Sequence, residues 1–229
     1  MNKRIRFLTF NALVLFFALP QQQAQAQAED APRFEVGAQF SSLTINEPPF
    51  SSDFRTEPGF GGRFTVNLTD YLAAEAQVDF YPNDNRRRSS EYTGGRTTTG
   101  FFGVKAGKRF ERFGIYGKAR PGFVRFGRTL SGFTGGTITP PDPFPFFQPE
   151  FRARTEFATD VGGVLEFYPT RRIVTRFDIG DTIIRYKDRT IGFPTFAPGP
   201  PPTAAIRFQT LPGETQHNFQ FSAGIGFRF

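Results

Sequence analysis

From His217 to Phe229 the chain alternates without a break. Every second position reads Phe219, Phe221, Ala223, Ile225, Phe227 and Phe229, and the positions between them read Asn218, Gln220, Ser222, Gly224, Gly226 and Arg228. Successive side chains of a strand point to opposite faces, so this stretch is one long strand with an apolar face and a face of polar and small residues.

The same two-residue period recurs seven more times. A first strand at about residues 33–42 sets Phe34, Val36, Ala38 and Phe40 against Glu35, Gly37 and Gln39. A second, at about 59–68, sets Phe60, Phe64 and Val66 against Gly61, Arg63 and Thr65. The third, at about 71–81, sets Leu72, Ala76, Val78 and Phe80 against Glu75, Gln77 and Asp79. A fourth, at about 98–109, carries Phe102 and Val104 opposite Gly103 and Lys105. In the fifth, at about 113–126, Pro121-Gly122 predicts a β-bulge, because proline cannot donate to a ladder. The sixth, at about 152–168, sets Phe157, Val161, Leu165 and Phe167 against Glu156, Asp160 and Glu166, and the seventh, at about 172–186, sets Ile173, Phe177 and Ile179 against Arg176 and Asp178.

Connection lengths alternate as well. Links one, three, five and seven (about 43–58, 82–97, 127–151 and 187–215) are long, whereas links two, four and six take two to four residues. That asymmetry predicts an all-β, eight-stranded antiparallel up-and-down transmembrane barrel, with short periplasmic turns and four long extracellular loops. Aromatic residues fall where the membrane interfaces are expected: Tyr71, Phe110, Phe113, Phe167, Tyr168 and Phe229 on one rim, and Phe40, Phe80, Tyr81, Phe126 and Tyr186 on the other.

Alternation alone does not say which face is outside, since a soluble barrel gives the same pattern with the faces exchanged. Volume decides. The apolar set holds at least fourteen phenylalanines, and an eight-stranded barrel is only just wide enough to be filled by ordinary side chains. The phenylalanine face is therefore expected to look outward into lipid. The inner face then carries seven acids, Glu35, Glu75, Asp79, Glu156, Asp160, Glu166 and Asp178, against six bases, Arg63, Lys105, Lys118, Arg120, Arg176 and Arg228. Charges in so narrow a lumen must be paired, so the expectation is a plug of interlocked ion pairs, with a gated polar pore as the alternative.

Composition agrees with this reading and limits others. Lys3, Arg4 and Arg6 followed by a mostly apolar run from Phe7 to Leu19, with Ala24, Ala26 and Ala28 behind it, predict a secretory signal peptide over residues 1–28 and a barrel over 29–229. Its removal takes the formal charge from +7 to about +4, and the arginines are scattered, so no nucleic-acid partner is expected. There is no cysteine, which excludes disulfides, a lipid-anchoring cysteine and thiol catalysis. No cofactor, metal or catalytic residue is expected. The lone histidine, His217, has Thr215 rather than a serine beside it on its face, which is poor material for nucleophilic chemistry.

The terminal aromatic residue and alternating closing strand, together with strand number and loop asymmetry, resemble the small OmpA/OmpX-type bacterial outer-membrane barrels over nearly all of residues 33–229. The resemblance implies insertion in the bacterial outer membrane, contact with its lipid and lipopolysaccharide, and reading of Phe219, Phe221, Ile225, Phe227 and Phe229 by the barrel-assembly machinery. The resemblance names no ligand, and with no peptidoglycan-binding domain after strand eight an OmpA-like cell-wall tether is not expected. Function then falls between a structural or surface-binding, adhesive role through the extracellular loops and a narrow or gated small-solute channel; a lipid-modifying enzyme is a distant third. Candidate surface residues are the basic run Arg86, Arg87 and Arg88, and the aromatics of two proline-rich loops, Phe144, Phe146, Phe147, Phe193 and Phe196. These loops either present a partner surface or fold over the mouth and pack on one another.

Overall fold

The computed structural model describes residues 32–45, 54–82, 93–138, 144–197 and 203–229. The expected signal peptide and Arg86, Arg87 and Arg88 lie outside the described residues, as do the side chains of Phe144 and Phe196.

Ten strands are described: β1 (Phe34–Ile45), β2 (Arg55–Asn67), β3 (Leu72–Tyr81), β4 (Thr93–Arg109), β5 (Phe113–Ile138), β6 (Phe144–Phe167), β7 (Ile173–Arg185), β8 (Arg189–Ala197), β9 (Thr203–Leu211) and β10 (Thr215–Arg228). Eight of them close into a barrel in the order β1-β10-β7-β6-β5-β4-β3-β2, every pair antiparallel. The seam lies between the first and last strands, where Phe34 and Phe229 exchange two backbone hydrogen bonds of 2.9 Å. Two of the short turns use the same local chemistry. Thr69 Oγ1 accepts from the Leu72 amide at 3.0 Å, and Thr170 Oγ1 accepts from the Ile173 amide at 3.1 Å, so a threonine hydroxyl closes each reversal.

The two faces divide sharply. Phe40, Phe60, Phe64, Phe157, Phe177 and Phe219 all stand exposed on the outside, Phe102 at 65 %. Inside, Glu75, Asp160, Arg120 and Arg176 are wholly buried. Space for large interior side chains comes from glycine. A Cβ at Gly114 would run into the hydroxyls of Tyr116 and Tyr168, and one at Gly61 would meet the Asp79 carboxylate.

Three expectations need correction. Pro121-Gly122 makes no bulge: Phe101↔Gly122 and Val104↔Ala119 keep one register across β4 and β5, and outward parity runs unbroken through Pro121. Only the pairs at Phe102 and Gly103 drop out, as follows from one missing N–H. The register shifts lie elsewhere, between Gly94 and Thr97 in β4, where Gly95 takes a φ of 85°, and beyond Phe126 in β5. Secondly, Tyr81, Phe126, Tyr168 and Tyr186 are not rim aromatics facing lipid. Each shares strand parity with an inward charge, as Tyr81 does with Asp79, and each is buried inside. Thirdly, links five and seven are more ordered than their length suggests. β5 and β6 run past the barrel as a paired hairpin as far as Ile138 and Phe144, and β8 and β9 form a separate two-stranded sheet.

Replacing Pro121 with valine is expected to restore the missing β4 hydrogen bond without shifting register, a gain of about 1 kcal/mol. Urea titration of the folded fraction in lipid vesicles checks this; a loss of stability would mean that Pro121 shapes the sheet after all.

Candidate functional site

Two regions carry chemistry: the lumen, and the end of the barrel bearing the long connections. The lumen is built in layers. Next to the short turns, Glu35 on β1 meets Arg228 at 3.2 Å and Arg109 at 3.5 Å and accepts from Asn67 at 3.0 Å. Arg109 also donates to the Tyr168 hydroxyl, which in turn donates to Glu166 at 3.0 Å and lies 2.9 Å from the hydroxyl of Tyr116. Lys105 pairs with Glu166 and stands over the Tyr116 ring at 4.6 Å. Arg109 and Tyr116 are additions to the residues that the sequence singles out, and Tyr168 joins them here instead of on the aromatic rim. Inward parity is the signal for all three: Arg109 shares it with Lys105 on β4, Tyr116 with Lys118 on β5, and Tyr168 with Glu166.

The middle layer centres on Glu75. Its carboxylate accepts from Arg120 and from both terminal nitrogens of Arg176, the Nη2 contact at 2.8 Å. Arg120 reaches on to Asp160 at 2.9 Å and to the Gln77 carbonyl at 2.7 Å, and Arg176 holds Asp178 through two bonds of 2.8 and 2.7 Å. Lys118 sits between Asp160 and Asp178 at 2.9 and 3.4 Å. In the ring order β3 and β7 are diametrically opposite, with β5 midway between them. Glu75 and Arg176 therefore form a strut straight across the lumen, with Arg120 joining from the side. Arg63 and Asp79 make no direct ion pair among the described residues. Gln39 spans them, accepting from Arg63 at 3.2 Å and donating to Asp79 at 2.7 Å, while Gln77 donates to the other Asp79 oxygen at 2.5 Å.

Above the charges the interior turns apolar. Leu43, Ile45, Phe101, Val124, Phe126, Ala158 and Ile184 form one buried cluster with Tyr81 and Tyr186, and Phe126 stacks on Tyr186 at 6.0 Å. This cap is absent from the sequence reading, which stopped the first strand at residue 42 and so left Leu43 and Ile45 in a loop. Glu156 lies beyond the central network, paired with Arg154 beside the cap.

Outside the barrel, Phe193 of β8 packs against Phe133 of β5 at 6.1 Å, Ile191 is buried, and Phe147 lies over Gly135. Phe146 is exposed. Two exposed apolar residues missed by the sequence reading, Ile206 and Phe208, stand on β9, with Phe208 73 % exposed. His217 is on the outer face, its Nδ1 2.5 Å from the Asp181 carboxylate, which also accepts from the Asn218 amide at 2.9 Å. Among the described residues no group of three His, Asp or Glu side chains is placed to hold a metal ion.

Residues 11–229 match the family of the outer membrane protein beta-barrel domain. No curated protein sequence matches the chain. Among solved structures, the outer membrane protein OprG from Pseudomonas aeruginosa is similar over 89% of this chain and 98% of that one, at 11% identity and a TM-score of 0.51. Ail, the attachment invasion locus protein of Yersinia pestis, aligns over 87% of this chain and 99% of its own at 11% identity and a TM-score of 0.47. Neisserial surface protein A aligns over 86% and 97% at 14% identity and a TM-score of 0.47. At such identities the likeness to OprG speaks for the fold.

The Glu75 hub makes a direct test of the lumen. Glu75→Gln leaves Arg120 and Arg176 short of counter-charge in a dry interior and is expected to cost about 3–5 kcal/mol. The double variant Glu75→Leu with Arg176→Met should lie closer to the parent than either single change, measured by urea unfolding in vesicles.

Proposed function

The chain belongs to the outer membrane protein beta-barrel domain family and spans the bacterial outer membrane, and from this premise we propose that it is an integral barrel acting through its outer surface. In this reading residues 1–28 are a secretory signal peptide, the four long connections face the cell exterior, and the role is structural or adhesive rather than enzymatic. Phe219, Phe221, Ile225, Phe227 and Phe229 serve the assembly machinery, and the inward ion pairs stiffen the wall.

One observation carries the proposal. Arg120, Arg176 and Lys105 are wholly buried and the aromatic cap lies above them, so charge and apolar packing fill the interior at two separate levels, which supports a closed lumen. The accessible apolar residues at the long-connection end sit instead on ordered hairpins: Phe146 on β6, and Ile206 and Phe208 on β9. Exposed apolar residues on a rigid support are what a partner surface needs. Conduction would require the Glu75–Arg176 strut to break and the cap to part, leaving charges unpaired in a narrow space.

In planar bilayers the purified protein is expected to show no steady conductance; a large and stable current would favour the channel instead. Replacing residues 189–211 with a short glycine-serine turn should leave a folded, heat-modifiable barrel and reduce adherence of the cells to host or abiotic surfaces several-fold. An epitope placed between β8 and β9 should be labelled on intact cells. Labelling only after lysis would reverse the proposed orientation.

A further inference from the structure

At the rim of the long-connection end, three cations face outward across adjacent strands. Arg125 on β5 is directly opposite Thr155 on β6. The pairing of β6 with β7 sets Phe157 opposite Arg185, and the same register carried two residues further brings Thr155 level with Lys187. Neighbouring strands lie about 4.8 Å apart, so Arg125 and the Arg185–Lys187 pair flank β6 roughly 10 Å from each other. All three side chains are exposed, and among the described residues none of them donates a side-chain hydrogen bond or joins an ion pair.

The acids nearby are committed elsewhere. Asp181 is held by His217 and the Asn218 amide, Glu156 by Arg154, and Asp188 accepts from the Gly213 amide at 2.5 Å. With Arg152, Arg154 and Arg189 beside them the cations of this rim number six among the described residues, against the four acids Glu156, Asp181, Asp188 and Glu214, so positive charge is in excess. Immediately below it the outer face is apolar: Phe123 lies over Gly100, and Phe157 is 52 % exposed. An adjoining cleft of about 370 Å³ shares Thr155 and Lys187 with the rim and adds Arg152.

We propose that Arg125, Arg185 and Lys187, with the phenylalanine surface beneath them, form a binding site for a phosphorylated glycolipid of the outer leaflet, its phosphates on the cations and its acyl chains over Phe123 and Phe157. The vertical order of the residues is what selects this ligand. Exposed arginines without counter-ions attract any phosphate, but cations stacked on an apolar wall at the level of the lipid headgroups match an amphiphile, whose charged and oily parts are held at one fixed distance. The cleft supplies room for sugars attached to the headgroup. The site rests on the orientation proposed above, because only then does this rim lie in the outer leaflet.

The test uses the full protein in neutral detergent and titrates diphosphorylated lipid A, its dephosphorylated form, and inorganic phosphate, with bound lipid read by native mass spectrometry. Binding in detergent does not depend on orientation, so failure here is separable from failure of the surface-labelling experiment. Diphosphorylated lipid is expected to bind at least tenfold more tightly than the dephosphorylated form. The triple variant Arg125→Gln, Arg185→Gln and Lys187→Gln should lose that preference, while Arg171→Gln with Arg172→Gln, at a short turn on the opposite end, should keep it. Heat-modifiable mobility confirms that each variant is folded. Equal binding of both lipids, an unchanged triple variant, or displacement of the lipid by millimolar inorganic phosphate would each overturn the proposal.

Discussion

Hydrocarbon offers a backbone no hydrogen-bond partner, and the rest of this structure follows from that constraint. A sheet that crosses lipid cannot keep a free edge, so the first and last strands must meet, as they do where Phe34 and Phe229 bond each other. Closure with eight strands fixes a narrow interior. Large aromatic rings then have room only on the outside, where lipid receives them, and every inward residue competes for a small shared volume.

Narrowness turns the charged interior from a liability into a brace. Glu75, Arg120 and Arg176 are shut off from water, and each would be costly alone. The ring geometry lets one carboxylate meet cations from two other strands, one of them directly across the lumen. Tyrosine and glutamine fill the places where charges do not meet directly: Gln39 carries the link between Arg63 and Asp79, and Tyr168 the link between Arg109 and Glu166. The apolar cap over this network gives the interior a second, chemically different layer. Together they fill the lumen, while Phe146, Ile206 and Phe208 on the hairpins beyond the barrel stay exposed.

Strand number, ring architecture and the outward phenylalanine face were legible in the sequence because alternation is a local property repeated eight times. The errors have local causes too. At Pro121 a missing donor was equated with a register shift, yet one absent hydrogen bond can be tolerated with the register intact. Tyr81, Phe126, Tyr168 and Tyr186 were assigned by residue type when parity already pointed them inward. The β8–β9 hairpin is hidden because Pro194 and the run Pro198-Gly199-Pro200-Pro201-Pro202 between its strands suggest a loop, and because Ile191 and Phe193 of β8 turn toward the β5 hairpin rather than forming a lipid-facing stripe.

Alternation in the chain therefore determined that a ring forms and which atoms face lipid, since a side chain's direction depends only on its place along its own strand. The partners inside that ring were decided by the fold. Glu75 and Arg176 are 101 residues apart and lie on opposite walls, so their meeting depends on the register of every intervening strand pair. The same holds for Arg125 and Lys187, which share a rim only because β6 sets them at one level. Register is a sum over the whole closed sheet, and no single stretch of sequence contains it.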